Sequence, residues 1–143
     1  MAVGNPGAID ALMRIKSNLD SGVPQAIQYA AIAALRGPQE CIKEHNVVYQ
    51  KRRDKLLQTI ARIGLKASPP KASLYVWAGV PAGYSSADFT TRLLDEASVV
   101  VTPGTGYGKA GEGYVRFSLT LQDDRFAEGI KRLSSFGEKM ARR

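Results

Sequence analysis

The sequence contains a single cysteine, Cys41, so no disulfide bond can form within its 143 residues. Absence of disulfides is typical of proteins in reducing compartments, and we expect a cytoplasmic protein. The chain also has no apolar run long enough to span a bilayer, and its start lacks the charged and apolar segments of a signal peptide. These absences predict a soluble globular protein with no membrane partner.

Metal ligands are equally scarce, because His45 is the only histidine. It shares the apolar stripe of a predicted helix with Cys41, and a lone histidine on such a stripe is more often a packed or capped residue than a metal ligand. We therefore predict no metal site. We expect His45 to be packed or capped and Cys41 to lie in the core.

Acidic residues are fewer than basic ones, which gives a net charge of +7. A basic chain can bind nucleic acid or acidic ligands, or it can simply have a basic surface. The densest basic segment is Lys51-Arg52-Arg53-Asp54-Lys55, but it lacks the interleaved aromatic residues of a single-strand binder. We interpret it as a solvated helix face and do not expect nucleic-acid binding, although a basic interaction module remains an alternative.

Hydrophobic periodicity predicts helices first and a small sheet afterwards. The predicted helices are Pro6–Asn18, Pro24–Arg36, Pro38–Ile63, a helix after the capping box Ser85-Ser86-Ala87-Asp88, and Asp123–Met140; the predicted strands are Ser73–Val80, Val99–Thr102 and one containing Arg116. The fold class is α+β, with an N-terminal helical arm, one long helix and a small mixed sheet covered by helices. We place a domain boundary after Gly37, which gives domains of residues 1–37 and 38–143.

A glycine-dense loop, Pro103 to Gly113, leads into the strand that contains Arg116. Alternation places Val115, Phe117 and Leu119 on one face and Arg116 on the other. A guanidinium on a rigid strand suits a carboxylate, and glycines allow close approach of a ligand. Equally, the loop could be a hairpin connection, and Arg116 could be a surface residue or the partner of Glu112. The loop fits neither a phosphate-binding loop nor a dinucleotide fingerprint.

Three segments of this region together carry a resemblance: Val101-Thr102-Pro103-Gly104, Tyr107-Gly108, and Gly111-Glu112-Gly113-Tyr114-Val115-Arg116-Phe117-Ser118-Leu119. They resemble the C-terminal signature of class I/II aminotransferases, which use pyridoxal phosphate. Ala2-Val3-Gly4-Asn5, Lys16-Ser17-Asn18-Leu19-Asp20-Ser21-Gly22 and Ala72-Ser73-Leu74-Tyr75-Val76-Trp77 extend the resemblance over nearly the whole chain, and it is closest to the LL-diaminopimelate and aspartate/alanine-like branch.

The resemblance implies that Arg116 binds the substrate α-carboxylate and that the parent enzyme transfers an amino group between an amino acid and a 2-oxo acid. It also implies a homodimeric parent, with residues 1–37 an interdomain remnant of the large domain and residues 38–143 the small domain. The family's Schiff-base lysine, phosphate-binding arginine and pyridinium-pairing aspartate have no match here. We therefore expect a C-terminal fragment without catalytic or cofactor-binding residues of its own, inactive alone. A fragment of a same-fold carbon–sulfur lyase is an alternative.

Overall fold

The structure is a computed structural model and describes residues 2–141. Five helices and three strands follow in chain order: α1 Pro6–Leu19, α2 Gln25–Arg36, α3 Glu40–Arg62, β1 Tyr75–Gly79, α4 Ser86–Ala97, β2 Thr102–Pro103, β3 Tyr114–Ser118 and α5 Asp123–Ala141. Two short 3-10 turns, Gly104–Tyr107 and Lys109–Gly111, join β2 to β3. The predicted α+β class is confirmed, and the glycine loop is the connection between two paired strands.

The chain divides into two compact units, Met1–Cys41 and Ile42–Arg143. This division describes contacts within the chain and does not test its place in a larger enzyme. The assignment of residues 1–37 and 38–143 to two domains of a parent enzyme therefore stays a prediction. Helix α1 begins with Pro6, and the side chain of Asn5 caps it by accepting hydrogen bonds from the backbone N–H groups of Gly7 and Ala8, at 2.9 and 3.3 Å. Neither α1 nor α2 contains a buried residue.

The sheet of the second unit is antiparallel, in the strand order β1-β3-β2. The prediction of a mixed sheet is wrong in this respect. Strands β1 and β2 are connected through α4 and have the same direction. However, β3 lies between them and pairs antiparallel with both, so no parallel pair forms.

Strands β1 and β3 each bury one face. Val76 and Ala78 of β1 and Val115 and Phe117 of β3 point into the core. Helices α3, α4 and α5 supply the rest of the core, with Leu56, Ile60, Phe89, Leu93, Ile130, Leu133 and Phe136. The three core helices therefore pack on one face of the sheet, and Arg116 and its neighbours lie on the opposite face.

The fully buried residues of helix α3 all lie in its second half. Its buried residues are Leu56, Thr59 and Ile60, whereas Cys41 and His45 are exposed. The predictions that Cys41 is a core residue and that His45 is packed are wrong, because the apolar stripe of the helix continues beyond the surface that it covers: Ile42 at the same end is 50% exposed. In residues 2–141, no helix has the length and apolar character needed to cross a membrane.

Candidate functional site

Arg116 lies at the centre of the exposed sheet face. It is on the middle strand, where Trp77 of β1 and Thr102 of β2 are its cross-strand partners. Side chains directly opposite on neighbouring strands lie about 5 Å apart at Cβ, so this position is surrounded on both sides. The backbone of Arg116 is therefore held between two paired strands, and its side chain extends from the central strand of the sheet.

The guanidinium of Arg116 lies against two aromatic rings. Its Cζ atom is 4.0 Å from the ring centroid of Tyr75 and 4.8 Å from that of Tyr107, both well within the range of cation–π contacts. Its Nε atom is buried and has no hydrogen-bond partner among the described residues. The side chain is half-buried, so part of its hydrogen-bonding capacity can still be reached by a ligand.

Arg116 is half-buried without an ion pair, whereas the other described arginines of the second unit that lack one, Arg62 and Arg125, are exposed. Arg52, Arg53, Arg92 and Arg132 each pair with a carboxylate at 2.6 to 2.8 Å, from Asp123, Asp54, Glu96 and Glu128 respectively. Arg116 forms no ion pair with any residue in the described range 2–141. An arginine without an internal anion, held among rings, is suited to receive a carboxylate from outside the chain.

Two further aromatic residues complete the exposed face. The Trp77 ring packs edge-on against Tyr107, with centroids 5.7 Å apart, and stacks on Tyr114 at the same separation. All four rings around Arg116 keep between 38% and 53% of their surface exposed. We call Tyr75, Trp77, Tyr107 and Tyr114 the aromatic face.

The glycine loop places Tyr107 over the sheet by folding back on itself. A Cβ atom on Gly104 would overlap the carbonyl oxygen of Gly111 and lie 2.9 Å from the carbonyl oxygen of Tyr114. A Cβ on Gly111 would in turn overlap Gly104. Only glycine permits this backbone contact, which holds the two 3-10 turns together and brings the ring of Tyr107 to Arg116.

The end of the loop is attached to the start of α4 by Ser86 and Glu112. One carboxylate oxygen of Glu112 accepts hydrogen bonds from the backbone N–H groups of Ser86, at 2.7 Å, and of Gly113, at 3.0 Å. The buried Ser86 hydroxyl donates to the carbonyl of Gly111 and accepts from the N–H of Tyr114. This network fixes the residues immediately before β3.

The same contacts lower the pKa of Glu112 below its ordinary value, first through the Ser86 N–H and second through that of Gly113. Both stabilise the ionised form, and the location at the first turn of a helix favours a negative charge. Glu112 is therefore the anchor of the loop, and the alternative that it pairs with Arg116 is not what the structure shows.

The basic segment Lys51–Lys55 is only partly the solvated face that we predicted. Lys51 and Lys55 are exposed. However, Arg52 donates to the carbonyl of Leu119 at 2.8 Å and pairs with Asp123, and Arg53 donates to the carbonyl of Pro70. These two arginines thus attach α3 to the segments beside the sheet, and their charges serve internal contacts.

The residues around Arg116 do not fit a pyridoxal-phosphate site. Such a site needs a lysine amine for the Schiff base, whereas the groups that adjoin Arg116 are Tyr75, Trp77, Thr102 and Tyr107. Within residues 2–141, no group of three potential metal ligands comes together either. The arrangement can bind an anion, and we derive no cofactor chemistry from it.

Sequence reasoning identified Arg116 but missed the residues that hold it. Tyr75 and Tyr107 were noted only as parts of the segments that carry the family resemblance. Their contact with Arg116 depends on the register of β1 against β3, which no local pattern reveals. Ser86 had a detectable signal, because the second residue of a capping box lies at the first helical turn, where free N–H groups attract an acid such as Glu112.

Comparison with known proteins places this arrangement in context. Residues 1–133 match the family described as aminotransferase class I and II. The LL-diaminopimelate aminotransferase of Dehalococcoides mccartyi is 60% identical over 136 residues, which cover 95% of this chain and 35% of that protein. The chain thus spans about a third of the length of the curated relatives that it matches.

Solved structures agree in fold. An aminotransferase from Staphylococcus aureus superimposes with a TM-score of 0.84 and 35% identity, covering 95% of this chain and 36% of that one. The L,L-diaminopimelate aminotransferase from Chlamydomonas reinhardtii gives a TM-score of 0.77 and 29% identity, covering 95% and 33%. These matches confirm the resemblance predicted from the glycine loop and the strand after it, and they support neither the carbon–sulfur lyase nor the interaction-module alternative.

Proposed function

Because this chain belongs to the class I and II aminotransferases, we propose that it forms the part of such an enzyme that binds the carboxylate of the substrate. Arg116 is the proposed ligand of the α-carboxylate, for both the amino acid and the 2-oxo acid. The observation that carries the proposal is that Arg116 has no anionic partner within residues 2–141, although its guanidinium is held in place on the sheet.

The parent reaction would be the transfer of an amino group between an amino acid and a 2-oxo acid. Pyridoxal phosphate, which the family implies for the parent enzyme, supplies the electron sink of that chemistry when bound. This chain's own contribution is recognition: the planar fork of Arg116 can take both carboxylate oxygens at once and so orient the α-carbon relative to the sheet. We propose that this chain alone neither binds the cofactor nor transaminates.

The names of the relatives support a proposal for the amino acid. The D. mccartyi protein that is 60% identical is named for LL-diaminopimelate, and we propose the same substrate for the parent of this chain. We also propose that the parent is a homodimer, as the resemblance implies, and that this chain is its C-terminal part.

The first unit supports the proposed division into domains. Its helices expose large apolar side chains, with Ile27 at 58%, Leu19 at 78% and Leu35 at 76%. Such a concentration of exposed apolar surface is typical of a segment that is covered by another surface. We propose that residues 1–37 are the interdomain segment of the parent and residues 38–143 its small domain.

A chimeric enzyme tests the substrate proposal. The matching third of the D. mccartyi enzyme is replaced by this chain, and transamination of LL-diaminopimelate is measured. We expect an active chimera. In it, Arg116→Ala should raise the KM for the amino acid roughly 30- to 150-fold, because loss of a charge-assisted pair costs about 2 to 3 kcal/mol.

The matched control is Arg125→Ala, which removes an exposed guanidinium from the first turns of α5; it should leave the KM within about twofold. Equal effects of the two substitutions would contradict the role of Arg116, and a folded chimera without LL-diaminopimelate activity would contradict the substrate. For this chain alone, an aldimine absorbance band that appears with pyridoxal phosphate and survives dialysis would contradict the proposed lack of cofactor binding.

A further inference from the structure

We propose that Tyr75 and Tyr107 are positioning residues for Arg116: their rings hold the guanidinium in one orientation, so that its Nη edge is presented to a carboxylate. This inference rests on the proposed function of Arg116 and adds to it the means by which that side chain is held. It concerns the rings themselves and requires nothing of the tyrosine hydroxyls.

Arg116 needs an unusual means of support. An arginine side chain has about 2 kcal/mol of rotamer entropy to lose when it is fixed. Arg52 and Arg92 also lie near aromatic rings, but each is additionally fixed by a carboxylate at 2.6 and 2.8 Å respectively. Arg116 has no carboxylate among the described residues, and its guanidinium lies instead against the rings of Tyr75 and Tyr107.

The two rings come from different elements of the fold. Tyr75 comes from β1, where Ser118 is its cross-strand partner, and is therefore diagonal to Arg116 on the same face. Tyr107 comes from the glycine loop and is supported from its side by Trp77. Both tyrosines are thus placed by independent elements, one by strand register and one by the Gly104–Gly111 contact, and both converge on the same guanidinium.

The Nε atom of Arg116 is buried. This atom has no accessible surface and no hydrogen-bond partner in the described structure. A carboxylate can therefore not use the side-on pair of Nε and one Nη nitrogen. The accessible pair is the end-on one, formed by the two Nη nitrogens, which is also a bidentate geometry. The burial of Nε thereby selects one of the two ways in which arginine can bind a carboxylate.

The test compares Tyr→Leu with Tyr→Phe at each position, in the full 143-residue chain. Phenylalanine keeps the ring and should behave like the native protein, whereas leucine removes the cation–π contact. The matched control is Tyr114→Leu, because Tyr114 is on the same exposed face and stacks on Trp77, whereas the cation–π contacts of Arg116 are with Tyr75 and Tyr107. Circular dichroism establishes that each variant is folded.

The direct readout is the ¹⁵N heteronuclear NOE of the Arg116 Nε–H group, assigned by its loss in Arg116→Lys. In the native chain it should be as high as that of the backbone and well above that of the exposed Arg36. Tyr75→Leu and Tyr107→Leu should each lower it towards the Arg36 value, while both phenylalanine variants and Tyr114→Leu should preserve it. A high value in both folded leucine variants would overturn the proposal.

The second readout is binding of acetate, titrated at constant ionic strength and followed at the same signal. Each leucine variant should weaken binding about two- to fivefold, the effect of one exposed cation–π contact, and the phenylalanine variants should restore it. Native-like affinity in both leucine variants would also overturn the positioning role. If acetate leaves the native Arg116 signal unchanged, carboxylate binding by this chain is refuted, whereas the heteronuclear NOE still decides whether the rings hold the side chain.

Discussion

Gly104→Ala should disrupt the loop that carries Tyr107, although it adds a single methyl group. The backbone of Gly104 does not lie in the left-handed region, so alanine can adopt its conformation. The obstacle is space. The new Cβ would overlap the carbonyl oxygen of Gly111 and would lie 2.9 Å from that of Tyr114. Both obstacles are backbone atoms, which cannot rotate away as a side chain would.

The cost can be estimated from what must move. Overpacking by one methyl group typically costs about 1 to 3 kcal/mol. Displacing Gly111 also stretches the 3.3 Å hydrogen bond that its carbonyl accepts from the buried Ser86 hydroxyl, and an unsatisfied buried group costs about 1 to 3 kcal/mol. Because a displaced loop relaxes part of each strain, we expect a loss of about 2 to 4 kcal/mol in the free energy of unfolding.

Gly106→Ala is the matched control, since it makes the same change two residues later in the same loop. The nearest atom to its Cβ would be the Thr102 Cγ2 methyl, at an ordinary 3.8 Å. Alanine there should be neutral or stabilise by up to about 1 kcal/mol, because it restricts the unfolded chain.

Urea unfolding followed by fluorescence is the assay, because Trp77 is the only tryptophan and lies on the aromatic face beside this loop. With a slope of about 1 to 3 kcal/mol per M, Gly104→Ala should lower the midpoint by roughly 1 M or more. If both variants unfold at the same urea concentration as the native chain, the proposed backbone contact between Gly104 and Gly111 is not formed.

Three further predictions concern the loop anchor and the one cysteine. The pKa of Glu112 is lowered on folding, so the contribution of Glu112 to stability is complete above its ordinary pKa of 4.5 and is lost as the pH falls below that value through the folded pKa. Glu112→Gln should therefore flatten the decrease in urea midpoint over this acidic range. An unchanged pH dependence would refute the role of Glu112 as the loop anchor. Ser86→Ala leaves the carbonyl of Gly111 and the partly buried N–H of Tyr114 without their side-chain partner and should cost about 1 to 3 kcal/mol in the same unfolding assay; a loss below about 0.5 kcal/mol would argue against the network. Cys41 is exposed and should react with a thiol reagent without denaturant at a rate close to that of a free thiol, whereas protection until unfolding would restore the prediction of a core residue.

The helices were the part of the fold that the sequence predicted well. Caps and breakers are local signals: Asn5 and Pro6 begin α1, Ser85 caps α4 by accepting from the N–H of Asp88, and Gly37 follows the end of α2. Ends differed by one or two residues, as frayed turns do. Local chemistry is sufficient here because a helix satisfies its own backbone hydrogen bonds.

Strand β2 shows why strands were predicted less well. The β-branched run Val99–Thr102 predicted a strand, but the paired residues are Thr102 and Pro103. A strand exists only where a neighbour offers hydrogen bonds, and β3 pairs only Val115 and Arg116 with this segment. The run before Thr102 has no partner there, and Val100 is 80% exposed. The sequence of a segment shows its preference for extended structure. It does not show how many residues of a neighbouring strand will pair with it.

A pattern in the sequence also does not show whether the surface that covers it is present. This explains why the position of Arg116 away from the core was predicted correctly and the burial of Cys41 was not. Alternation along β3 correctly placed Arg116 away from the core, because the partner face of the sheet lies within this chain. The apolar stripe at the start of α3 also marks a face to be covered, but Cys41 and Ile42 remain exposed. A hydrophobic pattern identifies which side chains were selected for burial and not what buries them. In a chain that spans about a third of its relatives, an exposed stripe is therefore best interpreted as one side of a contact in the proposed parent enzyme, and Arg116 as one side of its substrate site.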